Sequence, residues 1–172
     1  MSDSRRDADR NPGSGIRDPK GESDRDAGFG VRDLKIDDLI AAARAAREHA
    51  RADYSHFSVG AALETADGTI VTGCNIENAT YGLTVCAERV AIFKALSEGH
   101  REFRRMVVVA PPDAPTPPCG ACRQVLWEFA GDLEIILSNL HRETGRHRLG
   151  ELLPQPFDAR LLNLKPGGGD AS

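Results

Sequence analysis

The sequence predicts an α/β fold, a three-layer α/β/α sandwich built on a mixed sheet of about five strands. Helical and strand-like segments alternate along residues 34–164, in the order helix, strand, strand, helix, strand, helix, strand. The last two strand-like runs, 106–109 and 133–137, are short and continuously apolar. Such runs are typical of strands that helices cover on both faces. The alternation of strands and helices also predicts parallel pairing.

Periodicity and turn residues predict the individual helices and strands. Apolar residues recur at helical spacing from Ile36 to Ala50, which predicts the first helix. Asp67-Gly68 separates two strand-like runs, 59–66 and 69–74, and predicts a hairpin closed by a type I′ turn. The later helices, 86–98 and 119–130, are each followed by a glycine that can end a helix. Residues 141–150 are expected to form a turn or an irregular hairpin.

Composition separates the folded part from its ends and excludes several functions. Residues 1–33 are polar and without apolar period, so we expect a disordered tail, followed by a folded domain over 34–164 and a flexible C-terminus over 165–172. The net charge of −4 is spread over mixed charges, which argues against a nucleic-acid partner. No apolar run is long enough for a membrane span or a secretory signal, so we expect a cytoplasmic protein without a membrane partner.

Three of the four cysteines form a pattern that predicts a metal site. Cys86 opens one predicted helix, and Cys119 and Cys122 lie three residues apart at the start of another. Helix N-termini stabilise thiolates, and residues three apart on a helix share a face. Three thiolates favour zinc over harder metals such as magnesium. Cys74 ends a strand without a nearby partner cysteine, so we interpret it as a structural thiol.

The residues beside these cysteines indicate a catalytic zinc. Structural zinc sites are usually closed by four ligands, whereas three protein ligands leave one position for water, whose pKa zinc lowers toward neutrality. Glu88 lies two residues from Cys86 and can move protons to and from that water. Arg89 can donate hydrogen bonds to a thiolate sulfur and offset its charge, and Arg123 is a second candidate for that role.

Taken together, these motifs resemble the small, homotetrameric, zinc-dependent class of the cytidine/deoxycytidylate deaminase superfamily. The resemblance covers about residues 54–157 and is carried in order by YSHF at 54–57, VGAAL at 59–63, TGCNIENA at 72–79, CAER at 86–89, PCGACRQVL at 118–126 and ELLP at 151–154. Zinc deaminases carry a His-x-Glu or Cys-x-Glu element followed by Pro-Cys-x-x-Cys. Asp53 and Pro117 depart from the family pattern at positions beside the site.

The resemblance implies hydrolytic deamination of cytidine and deoxycytidine to uridine and deoxyuridine, within pyrimidine salvage. It implies one Zn²⁺ per subunit, held by Cys86, Cys119 and Cys122, with Glu88 as the proton carrier. The remaining site roles that it implies are a set of contacts to substrate or to a neighbouring subunit: Asn75 and Glu77 to the ribose 3′-hydroxyl, Phe57 against the pyrimidine, the Ala87 backbone at the base edge, and Tyr81 and Phe157 near the shared interface.

Other interpretations remain open at this point. Phe57 is equally typical of a core residue, and Asn75 of a turn. A deaminase of a nucleoside antibiotic of the blasticidin type would carry much of the same pattern, although the Asn75-x-Glu77 pair favours a ribose hydroxyl. A non-catalytic zinc-binding module would show a closed four-ligand site. An editing enzyme acting on RNA or DNA would need a basic groove, which the charge pattern does not predict.

Overall fold

The structure, a computed structural model, describes residues 35–111, 113–157 and 159–162. The tail predicted over 1–33 and the C-terminus predicted over 165–172 lie outside these ranges. The helices are α1 (Ile36–Arg47), α2 (Ala87–Ser97), α3 (Gly120–Ala130) and α4 (Leu149–Leu152), with short 3₁₀ turns at Tyr81–Leu83 and Ala159–Leu162. The strands are β1 (Gly60–Thr65), β2 (Ile70–Cys74), β3 (Phe103–Val109), β4 (Glu134–Ser138) and β5 (Glu143–Arg148).

The five strands form one mixed sheet in the order β2-β1-β3-β4-β5. β1 pairs antiparallel with both β2 and β3, β3 pairs parallel with β4, and β4 pairs antiparallel with β5. The prediction of a mixed five-stranded sheet is confirmed. The prediction of parallel pairing holds for β3 and β4 but is wrong for β2 and β3, because β1 folds back between them.

Helices cover both faces of the sheet, as the sandwich prediction requires. On one face, α1 buries an apolar layer against Ala62, Val107 and Ile136. On the other face, Ile92 of α2 and Leu126 of α3 pack against those side chains of the same strands that point away from α1. Alternate residues of β1, β3 and β4 therefore pack into two separate cores. Among the helices that the structure describes, none has the length and apolar character needed to cross a membrane.

Of two local predictions about turns, one is wrong and the other is confirmed. In the β1–β2 hairpin only Gly68 has a positive φ, of 84°, whereas a type I′ turn needs one at Asp67 as well. The Gly68 N–H donates to the Thr65 carbonyl at 3.0 Å, so the strands are joined by a three-residue loop with glycine in the left-handed position. The segment over 141–150, expected to form a turn or an irregular hairpin, contains strand β5, which forms an antiparallel hairpin with β4 that has a register shift between Leu137 and Ser138.

Candidate active site

Strand direction brings the two cysteine-bearing helices together. Gly60 at the start of β1 lies opposite Cys74 at the end of β2 on one side and Val109 at the end of β3 on the other. β2 and β3 therefore end at the same edge of the sheet. The chain leaving β2 reaches α2 at Cys86, and the chain leaving β3 reaches α3 at Cys119.

Three cysteine sulfurs meet at this edge. Cys86 and Cys119 are the residues immediately before α2 and α3, and Cys122 is buried in the first turn of α3. The Sγ–Sγ distances are 3.8 Å from Cys86 to Cys119 and 3.5 Å from Cys119 to Cys122, and all three sulfurs lie within 4.8 Å of one another. Two thiolates at about 2.3 Å from a tetrahedral zinc would lie about 3.8 Å apart. The donor set and spacing thus fit one zinc ion per chain, with Cys74 outside the group.

Contacts within the cluster shift the pKa values of Cys86 and Cys122 in opposite directions. A hydrogen bond from Cys122, assisted by Arg89, lowers the pKa of Cys86 to about 5 against the opposing effect of burial. The same Cys122–Cys86 contact, together with burial, raises the pKa of Cys122. Cys86 is therefore the more acidic thiol of this pair.

Arg89 lies where a hydrogen bond to sulfur is possible. Its Nη2 donates to the Thr84 carbonyl at 3.0 Å and lies 3.7 Å from the Cys86 Sγ. Arg123, the second candidate for that role, has a different use: its Nε donates to the Pro118 carbonyl at 2.6 Å and its Nη1 to the Leu152 carbonyl at 2.7 Å.

Glu88 is a buried carboxyl group beside this cluster. It occupies the second position of α2 and is 5% exposed. Burial raises its pKa to about 7; the nearby charge of Cys86 also raises it, while hydrogen bonds from its own backbone N–H and from Cys122 oppose the shift. A carboxyl group with a pKa near neutrality can both accept and return a proton at working pH.

A cavity of about 390 Å³ opens onto the cluster. A site of this size falls in the range of small-molecule pockets. Its walls contain most of the residues that sequence analysis selected, namely Phe57, Asn75, Glu77, Cys86, Ala87, Glu88 and Cys119. They also contain residues that it did not single out, among them Ser55, Val59, Thr84 and Thr116. Ser55 belongs to the YSHF motif at 54–57, and its place in that motif is the feature of the sequence that points to it.

Asn75 and Glu77 shape the loop that presents Phe57. Asn75, 9% exposed, accepts the Val59 N–H at 2.8 Å through Oδ1 and donates to the Phe57 carbonyl at 2.9 Å through Nδ2. The Glu77 carboxylate accepts the backbone N–H groups of Tyr54 and Ser55 and the Ser55 hydroxyl. The local sequence does not show this structural role, because the partners lie sixteen to twenty-three residues earlier in the chain.

The two residues expected near a subunit interface lie apart from this cavity. Tyr81 is 76% exposed and packs edge-on against Tyr54, with ring centroids 6.1 Å apart. Both tyrosines line a second cavity of about 310 Å³, which shares Ser55, Glu77 and Thr84 with the first. Phe157 is 57% exposed, and its carbonyl accepts the Gln124 Nε2 at 2.5 Å.

Comparison with known proteins agrees with this geometry. Residues 35–138 match the family model described as the cytidine and deoxycytidylate deaminase zinc-binding region. The chain is 49% identical over 131 residues to cytidine deaminase of Sporosarcina psychrophila (76% of this chain, 96% of the relative), and 51% identical over 126 residues to that of Halalkalibacterium halodurans (73% and 96%). The crystal structure of cytidine deaminase from Burkholderia pseudomallei superimposes with a TM-score of 0.70 at 49% identity, covering 72% of this chain and all of that one. The chain therefore belongs to the cytidine and deoxycytidylate deaminase family.

Proposed function

We propose that this protein is a zinc-dependent cytidine deaminase that hydrolyses cytidine and deoxycytidine to uridine and deoxyuridine, releasing ammonia. One observation carries the proposal: a buried carboxyl group, Glu88, lies in the wall of a nucleoside-sized cavity beside a cluster of three cysteine sulfurs. The cytidine deaminases to which the chain is about 50% identical support the choice of substrate.

The reaction replaces the exocyclic amine at C4 of the pyrimidine with oxygen from water. Zinc held by Cys86, Cys119 and Cys122 supplies Lewis acidity that makes a water more acidic. Glu88 accepts a proton from the attacking water, passes it to the ring nitrogen N3, and carries the second water proton to the departing amine. The same carboxyl group thus serves each transfer, and its burial keeps bulk water from competing. Arg89, 3.7 Å from the Cys86 sulfur, balances part of the negative charge of the thiolates.

Substrate contacts are assigned to the cavity walls. Phe57 packs against the pyrimidine, and the backbone of Ala87, at the start of α2, contacts the base edge together with Glu88. Asn75 and Glu77 contact the ribose 3′-hydroxyl. Each has a second use in holding the 54–59 loop, so nucleoside binding and loop geometry depend on the same two side chains.

The protein is proposed to work as a homotetramer in the cytoplasm, in pyrimidine salvage. Large apolar side chains lie exposed on the single chain, and burial against other subunits would remove them from water: Tyr54, Ile76, Tyr81, Leu83, Phe93 and Phe129 are each at least 45% exposed. Tyr81 and Phe157 are the residues assigned to inter-subunit contacts near the active site.

The proposal is tested by following the ultraviolet spectrum of cytidine and deoxycytidine with purified protein and measuring the ammonia released. Conversion of both nucleosides is expected, with one zinc per chain by elemental analysis. Blasticidin S serves as the competing substrate, and its preferential turnover would contradict the assignment.

Glu88→Gln tests the proposed role of Glu88 in the mechanism. The amide preserves size but cannot carry protons, so we expect full zinc content and a loss of turnover of about 10⁴-fold, the upper end for one general acid–base group. Turnover within tenfold of the parent in a zinc-loaded variant would remove Glu88 from the mechanism.

A further inference from the structure

Each of the two helix starts that carry the cysteines is tied down by an arginine of the same helix. Arg89 reaches back five residues to the Thr84 carbonyl, shortly before Cys86, at 3.0 Å. Arg123 also reaches back five residues, to the Pro118 carbonyl directly before Cys119, at 2.6 Å. The two arginines differ in their second contact. Arg89 lies 3.7 Å from the Cys86 sulfur, whereas the Arg123 Nη1 donates to the Leu152 carbonyl at 2.7 Å.

The segment before Cys119 has few other means of holding its shape. Pro115, Pro117 and Pro118 have no backbone N–H and cannot donate hydrogen bonds. The loop is held at its beginning by Asn139, whose Nδ2 donates to Asp113 at 2.9 Å. At its end it is held by Arg123, through the carbonyl of the buried Pro118.

The position of Cys119 depends on that contact more than the position of Cys122 does. Cys119 is exposed and precedes the first residue of α3. A helix hydrogen bond from the Arg123 N–H secures the Cys119 carbonyl, but the helix does not hold the loop backbone that leads into Cys119. Cys122 lies inside the helix and is buried. A small movement at Pro118 therefore displaces the Cys119 sulfur relative to the other two.

We propose that Arg123 is a positioning residue for the zinc site: by bridging the Pro118 and Leu152 carbonyls, it holds Cys119 in place and braces it against the end of α4. The planar guanidinium can serve two carbonyls in fixed directions, which a lysine ammonium on a flexible stem cannot. The inference depends on zinc at the three cysteines and not on the identity of the substrate.

The test measures zinc release into an excess of a chromophoric chelator, without substrate, from zinc-loaded Arg123→Ala, Arg123→Lys and Gln124→Ala proteins. Gln124→Ala is the matched control, since Gln124 is the next residue of α3 and holds the Phe157 carbonyl but not the Pro118 carbonyl. Changes to partners of metal ligands typically weaken metal affinity by about 10- to 100-fold. We expect release at least about tenfold faster from Arg123→Ala, an incomplete rescue by lysine, and release within about twofold of the parent from Gln124→Ala.

The cobalt-loaded proteins give a second measurement. The visible absorption of cobalt(II) reports ligand geometry, so the spectrum of Arg123→Lys should differ from that of the parent while that of Gln124→Ala should not. Arg123→Ala release within threefold of the parent, equal effects of Arg123→Ala and Gln124→Ala, or full rescue by lysine would each overturn the proposal. If Arg123→Ala fails to fold, the comparison of Arg123→Lys with Gln124→Ala decides. Failure of cytidine turnover would bear on the proposed function alone.

Discussion

Helix α2, which carries Glu88, lies so close to the sheet that a single methyl group at Gly73 is expected to move it. A Cβ added at Gly73 would lie 2.4 Å from the Ala87 carbonyl oxygen and 2.6 Å from the Ala91 nitrogen. Ordinary contact begins at 3.4 Å, so the helix must retreat by about 1 Å (3.4 − 2.4). Both contacts are backbone atoms, so no rotamer change relieves the overlap, and overpacking of this kind costs about 1–3 kcal/mol or more.

That displacement reaches the chemistry, because Cys86 and Glu88 begin the same helix. A misplacement of about 1 Å can cost about 10²-fold in turnover. Gly73→Ala is therefore expected to lower the melting temperature by several degrees and to reduce kcat about 10²-fold per zinc-loaded chain. The measurement is kcat normalised to zinc content, alongside thermal unfolding.

Gly60→Ala is the matched control on the opposite face of the sheet. Its Cβ would lie 2.0 Å from the Ala43 carbonyl oxygen and 2.7 Å from the Arg47 nitrogen, both in α1, which carries none of the candidate site residues. We expect an equal or greater loss of stability but a smaller loss of kcat per zinc-loaded chain. Parental melting temperatures in both variants, or equal losses of kcat, would refute the reasoning.

Three further predictions concern other parts of the molecule. Cys119→Ser should lose zinc or bind it weakly while Cys74→Ser retains it, measured by elemental analysis; equal loss in both would indicate a closed four-cysteine site. Asn75→Asp replaces the Nδ2 donor with a carboxylate oxygen that faces the Phe57 carbonyl oxygen. The change should destabilise the protein by about 1–3 kcal/mol and raise KM for cytidine. Unchanged thermal unfolding would contradict the hydrogen bonds assigned to Asn75. Deletion of residues 1–30, which lack apolar periodicity, should leave turnover and oligomeric state unchanged, and a monomeric product on gel filtration would argue against the disordered-tail interpretation.

The cysteine cluster could be predicted from the sequence because its determinants are local. Spacing places Cys119 and Cys122 on one helix turn, and the residues around Cys86 predict another helix start. Glu88 follows from the same local pattern, since it is two residues from Cys86. The structure brings the three sulfurs within 4.8 Å of one another and places Cys86, Glu88 and Cys119 in the wall of one cavity.

The features that sequence analysis missed, or expected only as an irregular hairpin, depend on distant partners. β5 has no apolar alternation, because its pairing with β4 at the sheet edge is sufficient to order it. The contacts of Asn75 and Glu77 with the 54–59 loop join residues sixteen to twenty-three positions apart, and the arm of Arg123 to Leu152 spans twenty-nine. Local patterns carry no information about such partners, so only their residue types could be noted.

The error about strand pairing did not affect the predicted site, and the reason is geometric. Bringing Cys86 and Cys119 together requires that β2 and β3 end at the same edge of the sheet, not that they be neighbours. β1 lies between them and runs antiparallel to both, which leaves β2 and β3 pointing the same way. The hairpin that inserts β1 therefore preserves the direction that a βαβ unit would have imposed. Convergence at the carboxyl ends of similarly directed strands is the property that a site of this kind needs, and several strand orders satisfy it.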